Sequence, residues 1–136
     1  MRGFLIVLAM LAAGPAAAET VPPEPGIEGV ISSQIEDFRA DDFVDAFRFA
    51  SPGIQRLFGT PERFGEMVRE GYPMVWRPGG VKFLDLRQED GVLWQRVFVR
   101  GPSGRPFVLD YRMVRDESGG WRIDGVQVLE APEVGA

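Results

Sequence analysis

The chain has 136 residues with 15 basic and 20 acidic side chains, a net charge of −5, and neither histidine nor cysteine. These absences exclude catalytic systems built on histidine or cysteine, disulfides, and zinc sites with the usual ligands. An acidic chain without a basic stretch is a poor match for nucleic acid. We therefore expect no nucleic-acid partner, no metal and no cofactor.

The first eighteen residues are organised like a secretory signal peptide. Arg2 supplies a positive charge, residues 4–13 form an apolar run, and residues 16–18 are alanines that suit a cleavage site. The apolar run is shorter than the roughly 20 residues needed to span a bilayer. We expect cleavage after Ala18, a periplasmic or secreted location, and no membrane contact after cleavage.

The next segment predicts a leader and two helices. Residues 19–26 contain three prolines and are expected to be extended. Apolar side chains then recur with helical spacing from residue 27 to residue 38. Asp42 and Asp45 resemble a capping box for a second helix at residues 43–50. A cation site on Asp41, Asp42 and Asp45 is the alternative interpretation of this acidic junction.

Two hydroxyl–proline pairs predict two further short helices. In Ser51-Pro52 and Thr60-Pro61, a capping side chain precedes a proline at the first helical position, where the missing N–H costs nothing. A glycine follows each predicted helix as a stop signal.

A loop with three large side chains links the helices to the sheet. Tyr72, Trp76 and Arg77 lie there, close to two prolines. They are candidates for a rim that stacks on a ligand or partner. In the alternative interpretation, Tyr72 and Trp76 fill the open end of the fold.

The second half of the chain changes to a period of two. Alternation predicts four strands, at residues 81–88, 92–100, 105–116 and 120–130. Helices followed by such a meander indicate an α+β fold. We expect N-terminal helices packed on a curved, four-stranded antiparallel sheet in one domain at residues 27–130, with a tail at 131–136.

The turns predict which side chains meet across the sheet. A two-residue type I′ turn at residues 90–91 pairs Asp85 with Arg96, and a four-residue loop after β-strand 92–100 pairs Trp94 with Tyr111. All four side chains would then face the helices, which makes them pocket candidates. The alternatives are a buried or half-buried pair that only sets the register, or a register wrong by one residue.

The same register places many apolar side chains on the opposite face. They include Leu86, Val97, Val99 and Val108, and an exposed patch of this kind favours a homodimer through the outer sheet face. The alternative is that these residues reflect β-propensity alone.

The last strand changes phase at residues 124–125. Trp121 and Ile123 are the apolar positions before that point, and Val126 and Val128 are the apolar positions after it. A glycine at such a slip indicates a bulge or bend that curls the sheet. A curled sheet with helices across its mouth would form a cone around a cavity.

The chain resembles the α+β cone superfamily of nuclear transport factor two, the SnoaL-type proteins and the ketosteroid isomerases, which is also described as cystatin-like. The resemblance depends on the helix broken at residues 40–42, the segment 46–52, and the closing Gly120-Trp121-Arg122-Ile123. With Tyr72-Pro73-Met74-Val75 added, the chain is similar to an exported proteobacterial family, domain of unknown function 4864. This resemblance implies the fold but no activity and no site residues.

Two functions follow as hypotheses. The first is a non-catalytic binding or accessory module for a small apolar ligand or a protein partner. The second is a cofactor-free lyase, isomerase or hydrolase that acts on a small hydrophobic molecule. In that enzyme, Asp85 would be the base, Tyr111 the oxyanion donor and Arg96 the orienting group. A direct ion pair with Arg96 would weaken Asp85 as a base.

Overall fold

The structure, a computed structural model, describes residues 18–129. Most of the expected signal peptide and the whole tail at 131–136 lie outside these residues. The elements are β1 (Glu19–Val21), α1 (Pro25–Arg39), α2 (Phe43–Arg48), α3 (Pro52–Phe58), α4 (Pro61–Gly71), α5 (Pro73–Trp76), β2 (Val81–Glu89), β3 (Val92–Arg100), β4 (Pro106–Arg115) and β5 (Trp121–Leu129).

The helix starts follow their capping residues. Ser51 accepts a hydrogen bond from the N–H of Ile54 at 3.2 Å, and Thr60 accepts one from Arg63 at 3.2 Å, so both predicted caps are confirmed. Asp42 accepts from the N–H of Asp45 at 3.1 Å and caps α2. By satisfying N–H groups that have no partner within the helix, each cap stabilises its helix by about 1 kcal/mol.

Two helix predictions are wrong in detail. The leader was expected to be extended to residue 26, but α1 already begins at Pro25, where Glu24 accepts from the N–H of Gly26 at 3.2 Å. The segment expected to be a loop at residues 72–78 contains the short helix α5. A proline suits the first position of both helices, but neither proline follows a serine or threonine cap of the kind that predicted α3 and α4.

Within the described residues the sheet is antiparallel and open, with five strands in the order β1-β2-β3-β4-β5. The expectation of four strands is therefore wrong by one. The additional strand β1 lies in the proline-rich leader, where Val21 pairs with Leu86 and Glu19 with Gln88. A three-residue strand is too short to show an alternating pattern, and it forms because β2 offers an unpaired edge.

The β2–β3 hairpin has the expected register next to its turn. Asp90 and Gly91 both have positive φ, 51° and 80°, as a type I′ turn requires. Further along, β2 contains a bulge between Phe83 and Leu86. The side chain of Gln95 fills it, because Nε2 donates to the carbonyl of Leu84 at 3.0 Å.

The predicted β3–β4 register is wrong by one residue. Trp94 pairs with Arg112 and not with Tyr111. The loop is effectively three residues long, because the N–H of Gly101 donates to the carbonyl of Arg105 at 2.7 Å, and Gly104 has a φ of 88°. A type I turn followed by a left-handed glycine gives this geometry, and the Pro-Ser-Gly sequence is typical of it.

With the corrected register, the side chains of β3 face the opposite way from the prediction, whereas those of β4 face as predicted. The helix-covered face of these strands belongs to the core and consists of Gln95, Val97, Val99, Leu109, Tyr111 and Met113, all buried. The outer face, which strand alternation places opposite, consists of Trp94, Arg96, Phe98, Val108, Asp110 and Arg112. Val97, Val99 and Leu86, which suggested a homodimer through the outer face, are therefore core residues.

The phase slip in β5 is confirmed as a bulge. Arg112 pairs with Gly125 and Met113 with Ile123, so Asp124 has no partner in the ladder. The bulge lets Ile123 and Val126 both join the helix-covered side, although the two residues between them would put them on opposite faces of a regular strand.

Candidate binding site

A cavity of about 300 Å³ lies between the helices and β5. Its walls are mainly aliphatic and aromatic, and they include Phe38, Ile54, Phe58, Phe64, Ile123 and Val126. Every side chain that lines it in residues 18–129 is uncharged. Ligand pockets are of this character, and about 300 Å³ is at the lower end of their size range.

The helix α3 forms one wall of the cavity. None of its residues is fully buried, and its three large apolar side chains, Ile54, Leu57 and Phe58, all line the cavity. Leu57 is 72 % exposed and marks the mouth. This helix is too short to be stable alone, so its contacts with the rest of the fold hold it in place.

Ser51 fixes the start of α3 to the bulge of β5. Its N–H donates to the carbonyl of Ile123 at 2.8 Å, and its hydroxyl donates to Oδ1 of Asp124 at 2.6 Å. The bulge also places Gly125 in the cavity wall, where an added Cβ would meet nothing within 4 Å. A glycine at this point of the strand therefore helps to keep the space open.

One buried polar side chain reaches the cavity from α1. Gln34 is only 3 % exposed, and its Nε2 donates to the carbonyl of Ala46 at 3.0 Å. Tyr72 also lines the cavity and is half-buried. Because the rest of the wall is apolar, these two side chains set the polar character of the site.

Of the three predicted rim residues, only Tyr72 lines the cavity. Trp76 donates from Nε1 to Oδ1 of Asp41 at 3.2 Å, and Arg77 contacts both carboxylate oxygens of Asp41 at 3.0 and 3.1 Å. The guanidinium of Arg77 also lies 4.2 Å from the ring centroid of Trp76 and donates to the carbonyl of Phe38. Trp76 and Arg77 thus hold the turn between α1 and α2.

The four predicted pocket residues lie on two sides of the sheet. Asp85 and Arg96 approach each other to 3.8 Å as expected, but Arg96 lies on the outer face and their side chains are 34 % and 40 % exposed. Trp94 is also on the outer face, with the guanidinium of Arg112 5.8 Å from its ring centroid. Tyr111 is on the helix-covered face, so the structure does not bring these residues into one site.

Tyr111 is fully buried and its hydroxyl has no hydrogen-bond partner among the described residues. Burial raises the pKa of this phenol well above its usual value, because the charged form would lose its hydration. The side chain does not line the cavity. Its role in the described structure is to fill the core.

The buried ion pair of the sheet is one that sequence analysis missed. Arg87 donates to Asp110 through Nη1 at 3.2 Å and Nη2 at 2.9 Å, with side-chain exposures of 9 % and 6 %. Hydrogen bonding to Asp110 raises the pKa of Arg87. The two residues lie on β2 and β4, and the pair spans β3, so only a correct register of both hairpins would have revealed it.

The acidic junction between α1 and α2 differs from the one predicted. Asp37, Asp42 and Asp45 bring carboxylate oxygens within 4.8 Å of one another, whereas Asp41 pairs with Arg77. Burial, and next the hydrogen bond and charge of Asp45, raise the pKa of Asp37 to about 6. Asp42 is at the same time the cap of α2, as the helix-junction interpretation expected.

The raised pKa of Asp37 predicts a pH-dependent stability. A carboxyl whose pKa is higher in the folded state stabilises the fold most below its unfolded value of 3.8, and that contribution is lost as the pH rises through about 6. Asp37→Asn removes the titration. At pH 8 the variant should be more stable by about 1 kcal/mol, once the shift is reduced for partial solvent exposure.

Urea unfolding at pH 4 and pH 8 measures this effect. Ser33→Asn, at an exposed position of the same helix, is the matched control, because it introduces the same side chain without removing a titratable group and should leave the pH dependence unchanged. An Asp37→Asn profile parallel to that of the parent protein between pH 4 and pH 8 would contradict the prediction.

These features define an α+β domain with an open antiparallel sheet and an apolar cavity beneath its helices. The chain matches the family described as "Domain of unknown function (DUF4864)" over residues 21–136, and it belongs to that family. Comparison with curated proteins and with solved structures gave no match. Within residues 18–129, no helix is both long and apolar enough to cross a membrane.

Proposed function

We propose that this domain is a non-catalytic binding module that holds one small apolar molecule in the cavity between its helices and β5. The observation that supports the proposal is the uncharged, largely apolar wall around about 300 Å³ with an exposed leucine at the mouth. If each non-hydrogen atom takes up about as much space as one water molecule in the liquid, roughly 30 Å³, the cavity accommodates roughly ten such atoms. The ligand is therefore smaller than most drug-sized compounds.

The enzyme alternative has less support. It needs Asp85, Arg96 and Tyr111 around one substrate, but the sheet separates the ion pair from the phenol. In addition, Asp85 lies beside a guanidinium and is open to solvent, whereas a carboxyl base works best in apolar surroundings.

The relationship to the cone superfamily and the export of the chain are part of the proposal. Helices followed by a bulged antiparallel sheet support the relationship to the superfamily.

The position of the proposed cleavage site supports export. Cleavage after Ala18 would cut the chain directly before β1, so the sheet would retain all five strands. Mass spectrometry of the protein from its native host should find Glu19 at the N-terminus, and retention of Met1 would contradict export by cleavage.

Alkylbenzenes from benzene to hexylbenzene test the cavity without relying on a polar group. Each added methylene contributes about 0.8 kcal/mol, so the Kd should fall about fourfold per carbon until roughly ten atoms fill the space, and then level off. Isothermal titration calorimetry measures both the slope and the plateau. An absence of binding, or a Kd that keeps falling through hexylbenzene, would contradict the proposal.

Leu57→Asp tests the location of the site. A carboxylate at the mouth should weaken propylbenzene binding at least about tenfold, because it adds a charge beside an apolar ligand. Val44→Asp is the matched control: Val44 is 60 % exposed on α2 and does not line the cavity. Equal Kd values for the two variants would show that the ligand binds elsewhere.

A further inference from the structure

The position of Gln34 is unusual for a polar residue. It lies on the buried stripe of α1 together with Ile27, Ile31, Ile35 and Phe38, where an aliphatic side chain would pack without cost. A buried amide destabilises the fold unless its polar atoms are hydrogen-bonded. The bond from Nε2 to the carbonyl of Ala46 satisfies only one end of this amide.

The partner of Nε2 fixes the orientation of the amide. A carbonyl accepts hydrogen bonds and cannot donate them, so the atom that faces Ala46 is the nitrogen and the oxygen lies at the other end of the group. No donor among the described residues reaches Oε1. Oε1 of Gln95 is fully buried without a partner, whereas Oε1 of Gln34 is not closed off in this way.

The charge of the wall restricts the ligand further. Among residues 18–129 no cationic side chain lines the cavity, so a carboxylate or phosphate would lose its hydration without gaining a counter-ion from them. A ketone, ether or ester would bring a second acceptor towards Oε1 of Gln34. A hydroxyl or an amide N–H would satisfy this oxygen.

We propose that the occupant of the cavity is an uncharged molecule that donates one hydrogen bond, from a hydroxyl or an amide N–H, to Oε1 of Gln34. This inference is based on the proposed function, because it assigns the chemical class of the ligand to the same cavity. It makes Gln34 the specificity-determining residue of the site.

Three probes of matched shape test the inference on the parent protein. 4-Propylphenol and its isomer 4-ethylanisole have the same size, but the first offers a hydrogen-bond donor and the second only an acceptor, while propylbenzene has neither. Calorimetry should show 4-propylphenol binding roughly three- to tenfold more tightly than propylbenzene. 4-Ethylanisole should bind no better than propylbenzene.

Gln34→Met identifies the residue responsible. Methionine has a similar length but offers no strong acceptor, and the carbonyl of Ala46 keeps the hydrogen bond from the N–H of Phe49 at 3.2 Å. The variant should lose the preference for the donor, so that its Kd values for 4-propylphenol and propylbenzene are equal.

The outcomes separate the two proposals. If propylbenzene does not bind the parent protein, the binding function itself is wrong. If propylbenzene binds but 4-propylphenol has no advantage over 4-ethylanisole, only the inference about Gln34 is wrong. The comparison of the three probes uses only the parent protein, so it tests the inference about Gln34 even if Gln34→Met does not fold.

Discussion

Val97→Lys is expected to lower the free energy of unfolding by more than about 4 kcal/mol. Val97 is fully buried on the helix-covered face, between Phe83 on β2 and Leu109 on β4. An unpaired ammonium in that position loses its hydration without compensation, which is one of the few mechanisms that produce so large an effect. Urea unfolding followed by circular dichroism measures the change.

Phe98→Lys is the matched control, because the neighbouring position lies on the outer face. There the ammonium stays in water, and the two variants should differ by at least about 3 kcal/mol. If Val97→Lys is too unstable to purify, Val97→Thr should still be less stable than the parent protein by about 1 to 3 kcal/mol, because it buries an unpaired hydroxyl. A stable Val97→Lys together with an unfolded Phe98→Lys would contradict the observed register. It would show that Phe98 is in the core and Val97 on the outer face, as the turn lengths predicted.

Arg87→Met is expected to destabilise the protein by about 3 to 5 kcal/mol. The change leaves Asp110 buried without the guanidinium that now contacts both of its carboxylate oxygens. The double variant Arg87→Met, Asp110→Leu should recover much of the loss, because no bare charge remains. A double-mutant cycle from chemical denaturation gives the coupling energy.

The pair Asp85 and Arg96 is the matched control for this cycle. Both residues are more than a third exposed and 3.8 Å apart, so their coupling should be below about 1 kcal/mol. A coupling larger than that of Arg87 and Asp110 would mean that the pairs have been assigned to the wrong environments.

Local signals in the sequence were sufficient for most of the elements. The four long strands and the two hydroxyl-capped helices begin and end within about a residue of their expected positions. These features depend on side chains close in sequence: Ser51 caps its own helix, and Asp90 and Gly91 form their own turn. The strand β1 was not predicted, because its existence depends on an edge about 65 residues further along the chain.

The site was less predictable, because it depends on the register of distant strands. Taking the loop after Arg100 as four residues instead of three moved Trp94 opposite Tyr111 and reversed the predicted faces of β3. The Pro-Ser-Gly sequence contained the signal for the shorter loop. The cavity also involves α3, α4 and β5, and no local pattern in the sequence indicates that Ile54 and Val126 share a wall.

The central claim is that the space beneath the helices binds a small apolar molecule. A methyl-detected NMR titration of the isotope-labelled protein with propylbenzene tests it most directly. We expect the largest shifts at Ile54, Val68 and Val126, which line the cavity, and none at Val108 on the outer face. Shifts at Val108 with unchanged cavity methyls would contradict the account and place the binding surface on the other side of the sheet.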